Sequence, residues 1–298
     1  MITTDRLKNE EDEKQASTAV ERNGSYSMNI KGAVALITGA AGGIGRALAL
    51  EMAKRKVGGL ALVDHSESVQ QVANAVNDFA GRTLAFGYSG DVTQDSFRQR
   101  VYKEMGEKHG PVNICVPAAG ITRDSLAVKM DKQTNRVAIY PIEQFRQVVE
   151  VNLIAPVYWA LEMVAGVAER RIKKGLKRWE PTQPLEGMVV FIGSVSSLGN
   201  KGQIAYAATK SGLEGAAATL MMEAVFHGVR CAVIHPGFTD TPMVRALGED
   251  FIQQHIIPQT QLRRLIQPEE IADAICFMIS NAAVSGSLWA DAGWHPAA

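Results

Sequence analysis

The chain is poor in cysteine, with three in 298 residues. Cys115, Cys231 and Cys276 lie singly in apolar runs, with no paired spacing that could hold zinc, so buried, reduced thiols are expected rather than a disulfide framework. The six histidines form no cluster, and no metal is expected. Charge of one sign is missing too: 31 Lys and Arg balance 31 Asp and Glu, so composition offers no basic face for nucleic acid. Long hydrophobic runs are absent. The most apolar helical stretch, residues 151–168, is interrupted by Asn152, Pro156 and Glu162, so no membrane span is expected and the protein reads as cytoplasmic. Residues 1–29 lack the apolar core of a signal peptide. Their acidic run Glu10-Glu11-Asp12-Glu13 also argues against a mitochondrial targeting helix, and they read as a disordered tail ahead of one domain at 30–298.

What is present is a regular alternation. Apolar runs of strand length at 33–37, 58–63, 83–88, 112–116, 188–192, 229–234 and 287–290 alternate with helical segments at 46–53, 91–109, 143–171, 203–227 and 268–280. Such alternation predicts an α/β fold, a single-domain, doubly wound parallel sheet of Rossmann type with helices on both faces. Ligands then bind at the carboxyl ends of the strands. A hydrophobic content of 46% suffices for the core of such a domain.

Between the first strand and the first helix lies Thr38-Gly39-Ala40-Ala41-Gly42-Gly43-Ile44-Gly45. Glycines there let the chain turn tightly and let a ligand approach the backbone, while free N–H groups at the helix start face an anion. The spacing is TGxxxGxG rather than the commoner GxGxxG, and close helix–strand packing alone could also explain it. Asp64 ends the second strand, about 20 residues on, where a carboxylate can accept both ribose hydroxyls of an adenosine and repel a 2′-phosphate. With no basic residue at 40–43, NAD is favoured over NADP.

Tyr206 and Lys210 stand four apart, one turn along one helix face. A free phenol titrates near about 10, and lowering that by three units needs roughly 4 kcal/mol. One ammonium about 4 Å away supplies that order at an effective dielectric near 20. Lys210 is therefore expected to lower the Tyr206 pKa, leaving the tyrosine to handle a proton while a nicotinamide handles hydride.

The ordered set Thr38 to Gly45, Asp91-Val92, Ala119-Gly120, Asn152, Ser194, Tyr206 with Lys210, and Pro236-Gly237 with Thr241 resembles the short-chain dehydrogenase/reductase family over residues 30–294. The stretches 119–124 and 199–203 are most similar to 3-oxoacyl-acyl-carrier-protein reductases and hydroxyacyl dehydrogenases. The resemblance implies a catalytic set of Asn152, Ser194, Tyr206 and Lys210. It implies a dinucleotide held by Thr38, Gly39, Gly43, Ile44, Gly45, Asp64, Asp91, Val92, Ala119, Gly120, Tyr206, Lys210, Pro236, Gly237 and Thr241. It also implies a mobile lid at 243–257 and a homodimer or homotetramer built on the helices at 143–171 and 203–227. Polyol, steroid or cyclic-alcohol substrates stay open beside a small-molecule or acyl substrate, and so does a non-catalytic dinucleotide sensor or scaffold.

Four features depart from the pattern. Ser194 precedes Tyr206 by twelve residues where most relatives have thirteen, which points to a shorter loop at 195–205 with Ser194 still at the strand end, rather than to Ser196. Pro117 removes an N–H near the adenine side. Residues 130–141 lengthen the connection after the fourth strand. Residues 170–178 hold six basic side chains before Trp179, read as a solvated helix end with an inserted loop, or else as a dock for an acidic carrier.

Overall fold

A computed structural model of the protein describes residues 28–294. Of the tail expected at 1–29, residues 1–27 lie outside the described residues. Met28 and Ile30 are buried in the core, so the packed chain begins before residue 30. Seven strands form one parallel sheet: β1 (Val34–Thr38), β2 (Gly59–Asp64), β3 (Ala85–Ser89), β4 (Ile114–Pro117), β7 (Gly187–Ile192), β8 (Val229–Pro236) and β9 (Gly286–Ala290). Their order is β3-β2-β1-β4-β7-β8-β9. The chain reverses direction between β1 and β4, and that switch point opens a crevice at the carboxyl ends.

Strands covered on both faces are apolar throughout, and β1 is buried at every position. Its alternate side chains serve two cores. Ala35 and Ile37 join Leu48, Met52, Val76, Ile275 and Met278 beneath helices α1 (Gly43–Lys54), α2 (Val69–Ala80) and α6 (Pro268–Ser280). Val34 and Leu36 join Val101, Met105, Trp159, Met163, Leu213 and Leu220 beneath α3 (Asp95–His109), α4 (Ile142–Lys173) and α5 (Ile204–Ala224).

Four local features differ from the sequence expectations. Helix α3 begins at Asp95, not Asp91, whose carboxylate instead accepts the Thr93 N–H and hydroxyl at 2.9 and 2.8 Å in the preceding turn. Helix α4 carries a π segment at Glu150–Ile154. By length and a mean hydropathy of 1.5 it could cross a membrane. Its stripe of Val148, Asn152, Ala155, Trp159, Met163 and Val167 is buried against the sheet, as in a core helix. The extended 130–141 connection is a hairpin, β5 (Val128–Met130) paired antiparallel with β6 (Val137–Ile139). The basic segment is only partly a solvated end. Arg171 is 1% exposed and bonds to the Lys177 carbonyl, Gln183 and Glu186. It fastens the inserted loop just before β7 begins, at the sheet end opposite the crevice.

Candidate active site

The glycine turn is fixed atom by atom. Gly39 has φ +67°, and a Cβ on it would lie 2.8 Å from the Ala119 nitrogen. A Cβ on Gly45 would meet the Gly39 carbonyl oxygen at 2.3 Å, so the first turn of α1 rests directly on the strand end. The turn, with Ile44, Asp64, Ala119 and Gly120, walls a cleft that runs to Tyr206, Lys210 and Thr241. A second cleft continues past Asp64 to Asp91, Val92 and Ile121. The backbone-lined turn and the acid at the β2 tip fit a dinucleotide pyrophosphate and ribose.

Asp64 is held in place: its carboxylate accepts the Ala41 and Ser66 N–H groups, each at 2.9 Å. Bonds to Thr93 hold the Asp91 carboxyl below the usual carboxylate range. Thr38 is buried, and its hydroxyl accepts the Ala119 N–H at 3.0 Å. It therefore joins β1 to the segment after Pro117 and leaves the lining of the clefts to its neighbours. Asn152 is wholly buried in the π segment. Its amide accepts from Ile121 N–H and donates to Ile121 C=O, both at 2.8 Å, so it braces the cleft wall at Gly120-Ile121.

Ser194 follows β7, with φ −170° and ψ 155°, and lines the same pocket as Tyr206. Its Oγ also accepts the Ser196 N–H at 3.1 Å. Lys210 is 5% exposed and donates from Nζ to the Ile192 carbonyl at 2.7 Å. The electrostatics differ from expectation. Burial pushes the Tyr206 phenol up to about 12, against a lowering by the nearby Ser194 side chain, and the Asp124 carboxylate adds to the rise. Lys210 contributes no lowering. Its Nζ is 5.5 Å from the Tyr206 ring centroid, and burial drives its own pKa down to about 8. In the protein alone, desolvation of both groups outweighs their coupling.

Beside Tyr206 opens a pocket lined by Thr122, Asp124, Ser194, Gln203, Phe238, Met243, Val244 and Leu247. Pro236 and Gly237 form its floor, with the Gly237 N–H donating to the Ala290 carbonyl at 3.1 Å. The segment expected as a lid begins as a helical turn, Pro242–Arg245, capped by the Thr241 hydroxyl, followed by Ile252 and Ile256 in a small core with Leu265. Arg245 pins it through Asp240 and Glu249, at 2.6 Å to each. Sequence reasoning missed Asp124 and Gln203, which bond to each other at 2.8 Å across the pocket mouth. Nothing in their spacing, 79 residues apart, marks the pair.

The profile described as short chain dehydrogenase matches residues 33–251. The chain belongs to that family. It is an oxidoreductase acting on a CH–OH group and the matching carbonyl, which removes the non-catalytic reading, and it works with a nicotinamide dinucleotide. It is 33% identical over 259 residues to the 3-oxoacyl-[acyl-carrier-protein] reductase FabG of Escherichia coli, covering 86% of this chain and 93% of the relative. The FabG of Vibrio cholerae is 33% identical over 254 residues, covering 85% of this chain and 92% of the relative. The fold matches a short-chain type dehydrogenase/reductase from Mycobacterium marinum with a TM-score of 0.76 at 21% identity, covering 90% of this chain and 98% of that one.

Proposed function

We propose that the protein is a cytoplasmic, NAD-dependent oxidoreductase that interconverts a secondary alcohol and its ketone, with 3-hydroxyacyl and 3-oxoacyl thioesters as the substrate class. The observation that carries this reading is the convergence of Ser194 and Tyr206 on one largely apolar pocket, with Tyr206 and Lys210 also lining the glycine-walled cleft. Similarity to 3-oxoacyl-[acyl-carrier-protein] reductases over most of both chains supports the thioester class.

In carbonyl reduction Tyr206 gives its proton to the substrate oxygen, and in alcohol oxidation it takes it back. Ser194 donates a hydrogen bond to that oxygen and shares the charge that develops there. Lys210, buried behind the tyrosine, holds the nicotinamide ribose and supplies positive charge to the phenolate side of the reaction. Asn152 keeps the Gly120-Ile121 wall in place. Pro236, Gly237 and Thr241 hold the carboxamide side, Gly39, Gly43 and Gly45 the pyrophosphate, and Asp64 and Asp91 the adenosine. The dinucleotide, when bound, supplies or takes the hydride. The carboxylate at the β2 tip supports NAD, because a 2′-phosphate beside it meets like charge and no cation at 40–43. Three free thiols suit a reducing compartment. Exposed Ile154, Tyr158 and Leu161 on α4, with Met222 on α5, give the assembly a homodimeric or homotetrameric contact.

The test is turnover of a 3-oxoacyl thioester by wild type and Tyr206→Phe. Loss of the acid should lower kcat by at least about 100-fold while dinucleotide binding stays near normal. Near-normal turnover in the variant would remove Tyr206 from the mechanism. No turnover of any acyl thioester by wild type, with turnover of a polyol or cyclic alcohol, would replace the substrate class.

A further inference from the structure

None of the roles above uses His235, although it is wholly buried in β8 beside the reacting groups. Its ring stacks on Trp289 with centroids 4.2 Å apart and planes 14° from parallel. The ring occupies the space over Gly193, where an added Cβ would lie 2.5 Å from Nδ1. Parallel pairing of β7 with β8 ends at Ile192 and Ile234, and the Gly193 N–H donates to the Ile234 carbonyl at 2.7 Å. Ser194 is the first residue past that ladder. Its buried N–H finds the His235 side chain, with Nδ1 at 3.3 Å.

Nδ1 is also 3.2 Å from the Ser194 carbonyl oxygen and 3.3 Å from Ser197 Oγ. The carbonyl already accepts the Ser197 N–H at 3.0 Å and the Ser197 hydroxyl at 2.7 Å. Among the described residues the Ser194 N–H has no other acceptor at hydrogen-bond distance. An unpaired buried N–H is costly, so the nitrogen lone pair belongs to it. The ring proton then sits on Nε2, which is buried with no partner at hydrogen-bond distance. The nearest acceptor is Glu214 Oε1 at 3.8 Å, on a side chain exposed enough to close that gap by rotation, whereas the Ser194 N–H is fixed in the main chain.

We propose that His235 is a positioning residue: its Nδ1 accepts the Ser194 N–H, extends the β7–β8 ladder by one side-chain bond, and so directs the Ser194 hydroxyl toward Tyr206. The inference rests on the reading of Ser194 as the donor to the substrate oxygen. It assigns a cause to the direction of that donor, since the short turn after it, Val195–Leu198, does not by itself fix where residue 194 points.

Two substitutions separate the bond from the packing. His235→Phe keeps a flat ring on Trp289 and removes the acceptor. His235→Asn removes most of the ring and leaves an amide oxygen near the Nδ1 position. With the proposed thioester substrate, Phe should lower kcat by about 30-fold or more, as loss or misplacement of an oxyanion donor does, with dinucleotide Kd unchanged. Asn should keep kcat within about 5-fold despite a lower Tm, and His235→Phe should cost little further in a Ser194→Ala background. Wild-type activity in His235→Phe, or losses that follow Tm in both variants, would overturn the proposal. Full turnover in Ser194→Ala alone would instead remove the role of Ser194, and this inference with it. The nitrogen NMR shifts of His235 in wild type give a measurement that needs no variant to fold. They should report a bare Nδ1 and a protonated Nε2, and the opposite tautomer would overturn the assignment.

Discussion

Lys210→Met should show a stability signature opposite to its effect on activity. Lys210 is 5% exposed, and burial lowers its pKa from 10.5 to about 8. That difference corresponds to about 3 kcal/mol of folding free energy lost by keeping the ammonium charged. Methionine fills the same volume without charge but leaves the Ile192 carbonyl without its donor, which costs roughly 1–3 kcal/mol. At pH 7 the variant should therefore be as stable as wild type or up to about 2 kcal/mol more stable, while turnover is lost. The pH dependence is sharper because the orphaned carbonyl does not titrate. Between the folded pKa of about 8 and the unfolded 10.5, the unfolded chain binds more protons at Lys210, so wild-type stability rises with pH. From pH 7 to 10 wild type should gain about 2.5 kcal/mol relative to Lys210→Met, or about 5 °C in Tm for a chain of this size. Tyr206, raised to about 12, acts in the other direction and mainly above pH 10, and it is common to both proteins. Differential scanning calorimetry across that range is the assay. Parallel Tm curves for the two proteins would show that Lys210 is not desolvated as argued.

Wild type should show the higher kcat/KM with NADH than with NADPH, and Asp64→Ala should weaken NAD binding and narrow that gap. A wild-type preference for NADPH would show that the carboxylate, occupied by the Ala41 and Ser66 N–H groups, does not select the ribose. Ser194→Ala should lose most activity while Ser196→Ala keeps much of it, because the Ser194 side chain is the one that favours the Tyr206 phenolate, whereas the Ser196 hydroxyl accepts the Asn200 amide at 3.3 Å. The reverse ranking in steady-state kinetics would move the donor to Ser196.

The glycine spacing was legible because each glycine answers to a specific neighbour. Gly39 faces Ala119, and Gly45 faces Gly39 itself. Strand positions were legible to within about two residues because buried parallel strands are apolar on both faces. Other elements left no such mark. The π segment at Glu150–Ile154 adds one residue to a helical turn, a change that a run such as Val148-Val149-Glu150-Val151 does not reveal. The β5–β6 hairpin is six paired residues around Asn135 at φ +51°, too short for alternation to declare itself. Asp91 has the composition of a helix cap, yet it spends its carboxylate on a turn four residues ahead of Asp95. Arg171 looked like its basic neighbours, and only the fold of the following loop shows that it is buried.

The pKa expectation failed for a physical reason that also explains why a twelve-residue spacing works. An isolated phenol and ammonium in water would couple as Coulomb's law gives, but here both are taken out of water by the same packing of α5 on β7. Lys210 satisfies its desolvated charge on the Ile192 carbonyl, two residues before Ser194 and one helical turn after Tyr206. That bond ties the helix to the strand at the level of the reacting pair. The separation of Ser194 from Tyr206 is therefore set by strand register and by this tie, and the loop between them only has to span the gap. A loop can lose one residue at small entropic cost, whereas a one-residue slip of β7 would turn Ser194 to the opposite face of the sheet.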